Sequence, residues 1–443
     1  MEEALFMKSL FILLFLSIFL SSPFLFSAPE KENSKNKEVP PKIILPLPDS
    51  AKLLQNEDPA YRDLAFFLRS LAIIRKAYVD EKKVSRKDLL KKALRGLLRE
   101  LDPYSTYESP AEAKVTQERT TGNFAGIGVT VRGLHSGAVE VITVFEGSPA
   151  EKAGLRAGDF IAEVDGEAVS GHELDACIKK IKGEIGTSVK LKILRREAPG
   201  PLSITLRRGE VKISSIMNTV SLEPGIGYLR ISSFTMTTPD DLRKALEKFP
   251  KDKYHSLVID LRNNPGGLLD SAIDCCSLFL PTGKEVVSTA GRTPNSGRVF
   301  RARESVKRQD LSLVILINGA SASAAEIMAG CLRDHNCAVL VGTKSFGKGS
   351  VQSLLPLGKD EGSIRLTTAR YFTPSKKMIH GVGIQPDIAV PISPALRLKL
   401  SAGLLNRHLK GGAVFNSFAR EDLQLARARE LLRSLRILRT KKK

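Results

Sequence analysis

The chain has 443 residues, of which 68 are Lys or Arg and 48 are Asp or Glu, so its formal net charge is +20. Hydrophobic residues make up 42% of it, aromatic residues 6%, and there is no Trp. This apolar content excludes a disordered polycation, and at about 150 residues per domain the length indicates two to four domains. The basic excess leaves nucleic acid and an anionic membrane surface open as partners, because charge governs association rather than fold.

The N-terminus carries an uncharged, strongly apolar stretch from Ser9 to Ala28, preceded by Lys8. The small pair Ser27 and Ala28 at its end is typical of a cleaved secretory signal. An uncleaved anchor is the alternative, since about 20 apolar residues span a bilayer. We predict a signal peptide or N-terminal anchor over residues 1–28 and a Pro- and Lys-rich linker over 29–57, with the body of the chain outside the cytoplasm.

Residues 58–118 have helical periodicity. Two apolar stripes are spaced for amphipathic helices, one from Leu64 to Ile74 and one from Leu89 to Leu98. The segment Leu101–Tyr107 follows, and its Asp102-Pro103 pair predicts a turn. We therefore expect an N-terminal helical region of two or more helices.

Short alternating strands punctuated by glycine fill residues 122–208. The predicted strands cover residues 127–131, 139–144, 160–164, 189–194 and 203–206, with one helix over 173–181. The framework Gly147–Ala150, Ala153–Asp159 and Val164–Gly166 resembles a PDZ domain. By that resemblance, Gly126, Ile127, Gly128 and Val129 form the loop whose backbone N–H groups bind a peptide C-terminal carboxylate.

Strands and helices alternate over residues 211–391. Strands are predicted over 256–261, 311–317 and 338–342, and helices over 268–280 and 324–333. Near-continuous apolar strands joined by helices indicate a parallel sheet buried on both faces. The predicted fold class is α/β, with helical regions at both ends of the chain.

Five cysteines are too few, and odd in number, for a disulfide framework. Most are expected to be small buried apolar residues. Cys331 and Cys337 could pair across a helix-to-strand turn, which we keep as an alternative. No His or Cys spacing indicates zinc, and no Ser-His-Asp triad is visible.

Small residues from Asn318 to Glu326 follow a predicted buried strand and open a predicted helix. A serine there has its hydroxyl where free N–H groups and the helix dipole favour a developing negative charge. The same position also suits a helix cap, which is a common role for serine. Ser321 and Ser323 are therefore candidates for a nucleophile or for a cap.

A lysine flanked by glycines, Lys348, lies in the segment Phe346–Gln352 after the next predicted strand. A desolvated lysine loses its proton more readily and then serves as a base for a serine hydroxyl. The alternatives are a surface lysine and a phosphate-binding loop. The second is excluded, because the segment lacks the earlier glycine of a nucleotide-binding loop.

The third motif, Asp260–Gly267, follows a buried strand and ends in two glycines. Glycines allow the backbone to turn N–H groups toward an oxyanion, which side chains would crowd. Taken by itself, this motif is an ordinary loop.

Together these motifs resemble the C-terminal processing peptidases, the tail-specific serine proteases of family S41 that carry an inserted PDZ domain. The resemblance covers about residues 60–390. It includes the motifs above and the segments Tyr228–Ile231, Thr367–Pro374 and Phe234, in the family's order. It implies a ClpP/crotonase-like peptidase core over 211–391, a PDZ domain over 122–208 and a basic helical region over 392–443.

The resemblance also implies the roles of individual residues. The family's nucleophile and base are 25 residues apart, which selects Ser323 with Lys348, and its orienting glutamine follows four residues later as Gln352. The oxyanion would be bound by the N–H of Ala324 and that of Gly266 or Gly267. The implied activity is a Ser/Lys endopeptidase that needs no metal or cofactor and recognises substrate C-termini through its PDZ domain.

Protein or peptide substrates are the expected partners, in the bacterial periplasm or at the outer face of the inner membrane. An envelope adaptor protein and a homo-oligomer are left open. A catalytically inactive PDZ scaffold is the alternative function, although both dyad residues and the orienting glutamine are present. Nucleic-acid binding is disfavoured, since no recognised module appears and export removes the chain from the nucleoid.

Half of the net charge lies at the C-terminal end. Residues 391–443 contain 13 basic and 3 acidic residues, a net charge of +10, with Leu431, Leu435 and Leu438 on one helical face. We expect this tail to lie outside the catalytic region. A basic amphipathic tail could bind anionic lipid, pair with an acidic partner or be a solvated face.

Overall fold

The computed structural model of the chain describes residues 59–440, except for residues 146, 213, 304–307, 359, 394 and 397–420. The predicted signal segment and linker lie outside the described residues. Helix α1, Pro59–Ala77, belongs to a unit that ends at Glu81, and the remaining described residues form a second unit. No helix within these ranges is long and apolar enough to cross a membrane.

The second unit begins with helix α2 (Arg86–Leu101), strand β1 (Thr106–Glu108) and helix α3 (Pro110–Thr121). The side chain of Ser85 caps α2, and α3 starts with a capping box and a proline, which are common helix-start signals. The predicted helical region is confirmed. Strand β1 was not predicted, and it pairs antiparallel with residues 363–365 far along the chain.

The next part of the unit is a small domain of antiparallel strands with two helices. Its elements are β2 (Asn123–Gly126), β3 (Val129–Gly133), β4 (Val139–Val144), α4 (Pro149–Lys152), β5 (Phe160–Val164), β6 (Glu167–Ala168), α5 (Leu174–Ile181), β7 (Ser188–Leu194), β8 (Leu202–Arg207) and β9 (Gly209–Lys212). The main sheet has the order β3-β4-β5-β7-β8, with β6 beside β5. Strand β2 pairs with β9, so the chain enters and leaves this domain at one place.

The predicted strands and helix of this domain are confirmed to within two residues. Alternate residues of β7 are buried, as expected for a strand with one face on a core. The core includes Val139, Val141, Leu191 and Ile193.

A third part contains two further sheets. Its elements are β10 (Ile216–Glu223), β11 (Ile226–Ile231), α6 (Thr238–Glu247), β12 (Ser256–Asp260), α7 (Leu269–Ser277), β13 (Glu285–Ala290), β14 (Arg298–Arg301), β15 (Ser312–Ile317), α8 (Ala324–Asp334), β16 (Ala338–Gly342), β17 (Ser350–Gly358), β18 (Gly362–Phe372), β19 (Ile388–Ala389) and α9 (Leu423–Thr440). The larger sheet has the order β10-β11-β12-β15-β16-β19 and is parallel from β11 onward. The second joins β1, β13, β14, β17 and β18 and is antiparallel.

The predicted parallel sheet is confirmed, and both of its faces are covered. Helices α6, α7 and α8 pack on one face, where the core includes Leu229, Ile259 and Ile315. Helix α9 packs on the other face through Leu425, Ala428 and Leu432. All residues of β11 and β12 are buried, and most of them are apolar, as expected for strands covered on both faces.

Helix α9 corrects the expectation that the basic tail lies outside the catalytic region. Its apolar face belongs to the core of the parallel sheet, and Arg429 and Arg433 form ion pairs with Glu223 of β10. Part of the tail charge therefore lies against protein. The five cysteines are all free thiols, so Cys331 and Cys337 do not form the alternative disulfide.

Candidate active site

Ser323 lies at the start of α8, directly after the turn that follows β15. Its backbone has φ 55° and ψ −118°, a conformation that non-glycine residues rarely adopt. Such strain persists only where the surroundings hold it, and it is common at functional sites. Ser323 is 9% exposed. The turn thus holds one serine in a special conformation at a helix N-terminus.

Ser321 has a different setting. It is fully buried, its Oγ donates to the carbonyl of Leu261 at 2.8 Å, and it accepts from the N–H of Asn318 at 2.9 Å. The bond to Leu261 holds the turn after β15 against the turn after β12, and the bond from Asn318 lies within the turn after β15. Ser321 is therefore a structural residue of the turn, whereas Ser323 is the serine with the strained backbone at the start of α8.

A buried carboxylate, that of Glu326, joins the serine turn to the lysine loop. Its Oε2 accepts from the N–H of Ser323 and the N–H of Lys348, both at 2.8 Å. Its Oε1 accepts from Ser345 Oγ at 2.5 Å and from the N–H of Gly347 at 2.7 Å. Burial raises the pKa of Glu326 above that of a free glutamate, and the four donors oppose this rise. The spacing of Ser323 and Glu326 is that of a capping box, a signal that sequence reasoning could have used.

Lys348 lies half-buried in the loop between β16 and β17. Its Nζ is 4.8 Å from the centre of the Tyr104 ring, a cation–π distance. Burial lowers the pKa of Lys348 below that of a free lysine, the positive charge of Arg365 lowers it further, and Asp102 raises it. No hydrogen bond joins Lys348 Nζ to Ser323 or Gln352 in the described part of the chain. The structure brings the Ser323 turn and the Lys348 loop together, and the lysine amine lies against the Tyr104 ring.

Tyr104 lies in the segment Leu101–Tyr107, but no role was predicted for it. It follows the Asp102-Pro103 turn, in which Asp102 Oδ1 accepts from the N–H groups of Tyr104 and Ser105 at 2.7 and 2.8 Å. Ser105 Oγ in turn accepts from the N–H of Thr367 at 3.1 Å. The turn after α2 therefore forms one wall of the lysine site.

Gln352 lies on β17, four residues after the lysine. Its Nε2 donates to Thr367 Oγ1 at 2.8 Å and to Ser350 Oγ at 3.2 Å. Its Oε1 is buried and has no donor among the described residues. A buried acceptor without a donor is costly, and an amine from the lysine loop would supply the missing bond.

Gly266 lies directly against Ser323. A Cβ placed on it would be 2.6 Å from Ser323 Cβ and 2.9 Å from the nitrogen of Ala324, so only glycine fits. Its own N–H donates to Asn264 Oδ1 at 2.8 Å. The neighbouring N–H of Gly267 and that of Ala324 donate to no acceptor within the described ranges. Of the two glycines expected at the oxyanion site, the geometry favours Gly267 as the donor.

The loop Gly126–Val129 connects β2 to β3. Ile127 is buried, and Gly128 has φ 86°, where a Cβ would crowd the side chain of Ser148. Strand β3 is at the edge of its sheet, so its outer side is available for an added strand. Loop and edge together have the arrangement of a PDZ peptide groove.

Known proteins match the chain along most of its length. The model of peptidase family S41 matches residues 225–390, and a PDZ-domain model matches residues 140–195. The carboxy-terminal-processing protease of Bartonella bacilliformis is 40% identical over 400 residues, which cover 85% of this chain and 90% of that protein. CtpB of Bacillus subtilis, a carboxy-terminal processing protease, is 36% identical over 73% of this chain and 66% of its own length.

A solved structure agrees at the level of the fold. The putative S41 protease from Bacteroides fragilis aligns with a TM-score of 0.50 and 18% identity, covering 82% of this chain and 97% of that one. The fold and the matches define a serine-type peptidase that carries a PDZ domain. The chain belongs to peptidase family S41, among the carboxy-terminal processing proteases.

Proposed function

We propose that the chain cleaves peptide bonds with Ser323 as nucleophile and Lys348 as general base. The supporting observation is the Glu326 carboxylate, which accepts from the backbone N–H groups of both residues and so holds them in one site. The neutral amine of Lys348 takes the proton of Ser323 Oγ as that oxygen attacks the scissile carbonyl. The resulting ammonium then protonates the leaving amine, and water hydrolyses the acyl-enzyme by the same base.

The negative charge of the tetrahedral intermediate is bound by the N–H groups of Ala324 and Gly267. Loss of one such donor typically costs about 2.7–4 kcal/mol of barrier. Gln352 Oε1 accepts a hydrogen bond from the lysine amine when Lys348 leaves the Tyr104 ring, which aligns the amine with Ser323. The buried, unpaired state of this oxygen supports that role.

The PDZ domain selects the substrate. The N–H groups of the loop Gly126–Val129 bind the C-terminal carboxylate, and the peptide adds as a strand to the free edge of β3. This mode requires a substrate with a free C-terminus and an unstructured C-terminal segment. The side chains of its last residues fill the groove beside α5. Cleavage near that end gives processing or degradation.

The enzyme acts in the cell envelope. The apolar segment Ser9–Ala28 supports export to the periplasm or retention at the outer face of the inner membrane. Tail arginines that neither lie in α9 nor contact Glu223 would add electrostatic attraction to anionic lipid.

The test compares the hydrolysis of an unstructured protein by wild type, Ser323→Ala, Lys348→Ala and Lys344→Ala, followed by mass spectrometry of the fragments. Lys344 is an exposed lysine of the same loop and serves as the matched control. We expect the first two variants to lose hydrolysis and the control to keep it. A second substrate with an amidated C-terminus should be cut more slowly.

Equal hydrolysis by Ser323→Ala and wild type would refute the dyad. Binding of C-terminal peptides with no hydrolysis by wild type would favour the inactive scaffold. Equal cleavage of the free and amidated substrates would refute recognition through the carboxylate while leaving the dyad intact.

A further inference from the structure

A buried ionic network lies at the carboxyl end of β12, next to the turn that carries Gly266 and Gly267. Asp260 ends the strand, and its carboxylate accepts from Arg262 Nε at 3.0 Å and from an Arg262 terminal nitrogen at 2.7 Å. Tyr228 donates its hydroxyl to the same carboxylate at 2.8 Å. Asp260 and Arg262 are 0% and 3% exposed, so water does not replace these bonds.

The other side of the same guanidinium is bound by the C-terminal helix. Two Arg262 nitrogens donate to the two oxygens of Asp422 at 2.9 and 2.7 Å, and one of them also donates to Gln424 Oε1 at 3.0 Å. Asp422 accepts from the N–H of Leu425 as well, so it caps α9. Asp422 is 2% exposed and Gln424 is fully buried. Residues some 160 positions apart thus meet in one buried cluster.

The cluster needs Asp422 for charge balance. Two carboxylates, those of Asp260 and Asp422, face the guanidinium of Arg262, and Arg230 lies beside them with a nitrogen 3.4 Å from the Arg262 carbonyl. Two negative and two positive groups therefore compensate each other. Removal of one carboxylate leaves an uncompensated cation in a buried site, which strongly favours rearrangement of the chain around Arg262.

The residues around Arg262 form the turn at the proposed oxyanion site. The carbonyl of Leu261 accepts from Ser321 Oγ at 2.8 Å, and the N–H of Ala322 donates to the carbonyl of Asn264 at 2.9 Å. The turn after β12 and the nucleophile turn are hydrogen-bonded to each other on both sides of Arg262. A shift of Arg262 would move Gly267 relative to Ala324, and a misplacement of about 1 Å can cost about a hundredfold in rate.

We propose that Asp422 is a positioning residue for peptide hydrolysis. Through Arg262 it holds the turn Leu261–Gly267 against Ser323, so the docked C-terminal helix completes the oxyanion site. This inference rests on the proposed peptidase function. It assigns the start of α9 a role in catalysis that its sequence, a basic and leucine-rich segment, does not suggest.

The experiment measures kcat and KM for a peptide substrate with full-length wild type, Asp422→Asn and Glu223→Gln, with Ser323→Ala as the baseline. Glu223→Gln is the matched control, because it removes the ion pairs of Arg429 and Arg433 farther along α9 and does not touch Arg262. We expect Asp422→Asn to lower kcat about tenfold or more with KM within about twofold, as for a displaced oxyanion donor. The control should stay within about twofold of wild type in both constants.

Gln424→Met tests the neighbouring contact of α9 with Arg262, in case Asp422→Asn fails to fold, and it also removes the donor to the Val390 carbonyl. It removes one acceptor of Arg262, and we expect kcat to fall about threefold with KM unchanged, since one neutral acceptor is lost and the ion pair remains. Folding of each variant is followed by far-UV circular dichroism.

The outcomes separate the two proposals. Hydrolysis by Ser323→Ala at the wild-type rate would refute the proposed function. Loss of hydrolysis in Ser323→Ala together with unchanged kcat in folded Asp422→Asn would overturn the role of Asp422 alone. Where Asp422→Asn is unfolded, unchanged kcat in Gln424→Met would overturn the coupling of α9 to the turn through Arg262, on which that role depends. An equal loss of kcat in Glu223→Gln would also overturn it, because the effect would then belong to helix docking in general.

Discussion

Substitution of Glu326 is the sharpest test of the proposed active site. Glu326 is 1% exposed, and its carboxylate accepts four hydrogen bonds. Two come from the backbone N–H groups of Ser323 and Lys348, and two from the Ser345 hydroxyl and the Gly347 N–H. Glu326→Gln keeps the shape of the side chain but replaces one oxygen by an NH₂ group. Two of the four donors then face another donor.

The expected cost follows from these contacts. A buried donor without an acceptor costs about 1–3 kcal/mol, so two of them give about 2–6 kcal/mol. This is a large part of the about 5–15 kcal/mol that stabilises a typical protein. The strained backbone of Ser323 is released at the same time, and the loop of Lys348 loses its bond to the serine turn. We expect kcat/KM to fall about a hundredfold or more, because small misplacements of reacting groups have such effects.

The assay pairs urea unfolding with peptide hydrolysis. The chain has no Trp, so unfolding is followed by far-UV circular dichroism, and the transition midpoints are compared because several domains need not unfold in one step. Asp334→Asn is the matched control. Asp334 is a 5% exposed carboxylate on the same helix, and it accepts from the Ser375 N–H and hydroxyl away from the dyad.

We expect both variants to lower the midpoint, and only Glu326→Gln to lose kcat/KM under conditions where both are folded. Wild-type kcat/KM and midpoint in Glu326→Gln would refute the reasoning. A loss of kcat/KM in Asp334→Asn as large as in Glu326→Gln would show that α8 is sensitive as a whole, and would remove the specific role of the carboxylate.

Two further predictions concern pH and the PDZ loop. In the proposed mechanism the neutral amine of Lys348 is the base, and burial lowers its pKa, so kcat/KM should rise with pH through a midpoint below the pKa of free lysine. Folding stability should fall as the pH falls from the pKa of free lysine to that midpoint, because only the unfolded state binds the proton in this range. Arg365→Gln should move the rate midpoint upward and Arg370→Gln, an exposed control on β18, should not, in a pH–rate profile. Gly128→Ala should weaken binding of a labelled C-terminal peptide in an anisotropy titration, through backbone strain of about 1–3 kcal/mol and crowding of Ser148. Gly147 has φ 73° with open space around it, so Gly147→Ala introduces backbone strain without crowding and serves as the control. Equal peptide affinities of Gly128→Ala and wild type would contradict the role of the loop.

Most elements of the fold could be predicted from the sequence. The strands over 256–260 and 312–317 and the helix over 324–334 agree with the apolar runs and helical spacing, because a buried strand and an amphipathic helix repeat their apolar residues at different periods. Strand β1 was missed. It has three residues, and its partner strand is distant in sequence, so no local pattern indicates it.

The candidate site could be predicted in part. Ser323, Lys348 and Gln352 were selected by spacing and family resemblance, and their roles stay predictions for the experiments above. Spacing could not distinguish Gly266 from Gly267 as the oxyanion donor. The difference depends on the bond from the Gly266 N–H to the Asn264 side chain, which appears only in the folded turn. The ring of Tyr104 beside the lysine also has no local signal.

The sequence alone determined the order of the domains, the alternation of strands and helices, and the glycines where the backbone needs positive φ, because these depend on residues close together along the chain. It also required that both faces of the parallel sheet be covered. Only the tertiary structure decided that the basic tail supplies this cover, and that Asp422 meets Arg262 beside the proposed oxyanion turn. Hydrophobic periodicity shows that a face is buried but not which distant segment packs on it, so such partners appear only when the chain is folded.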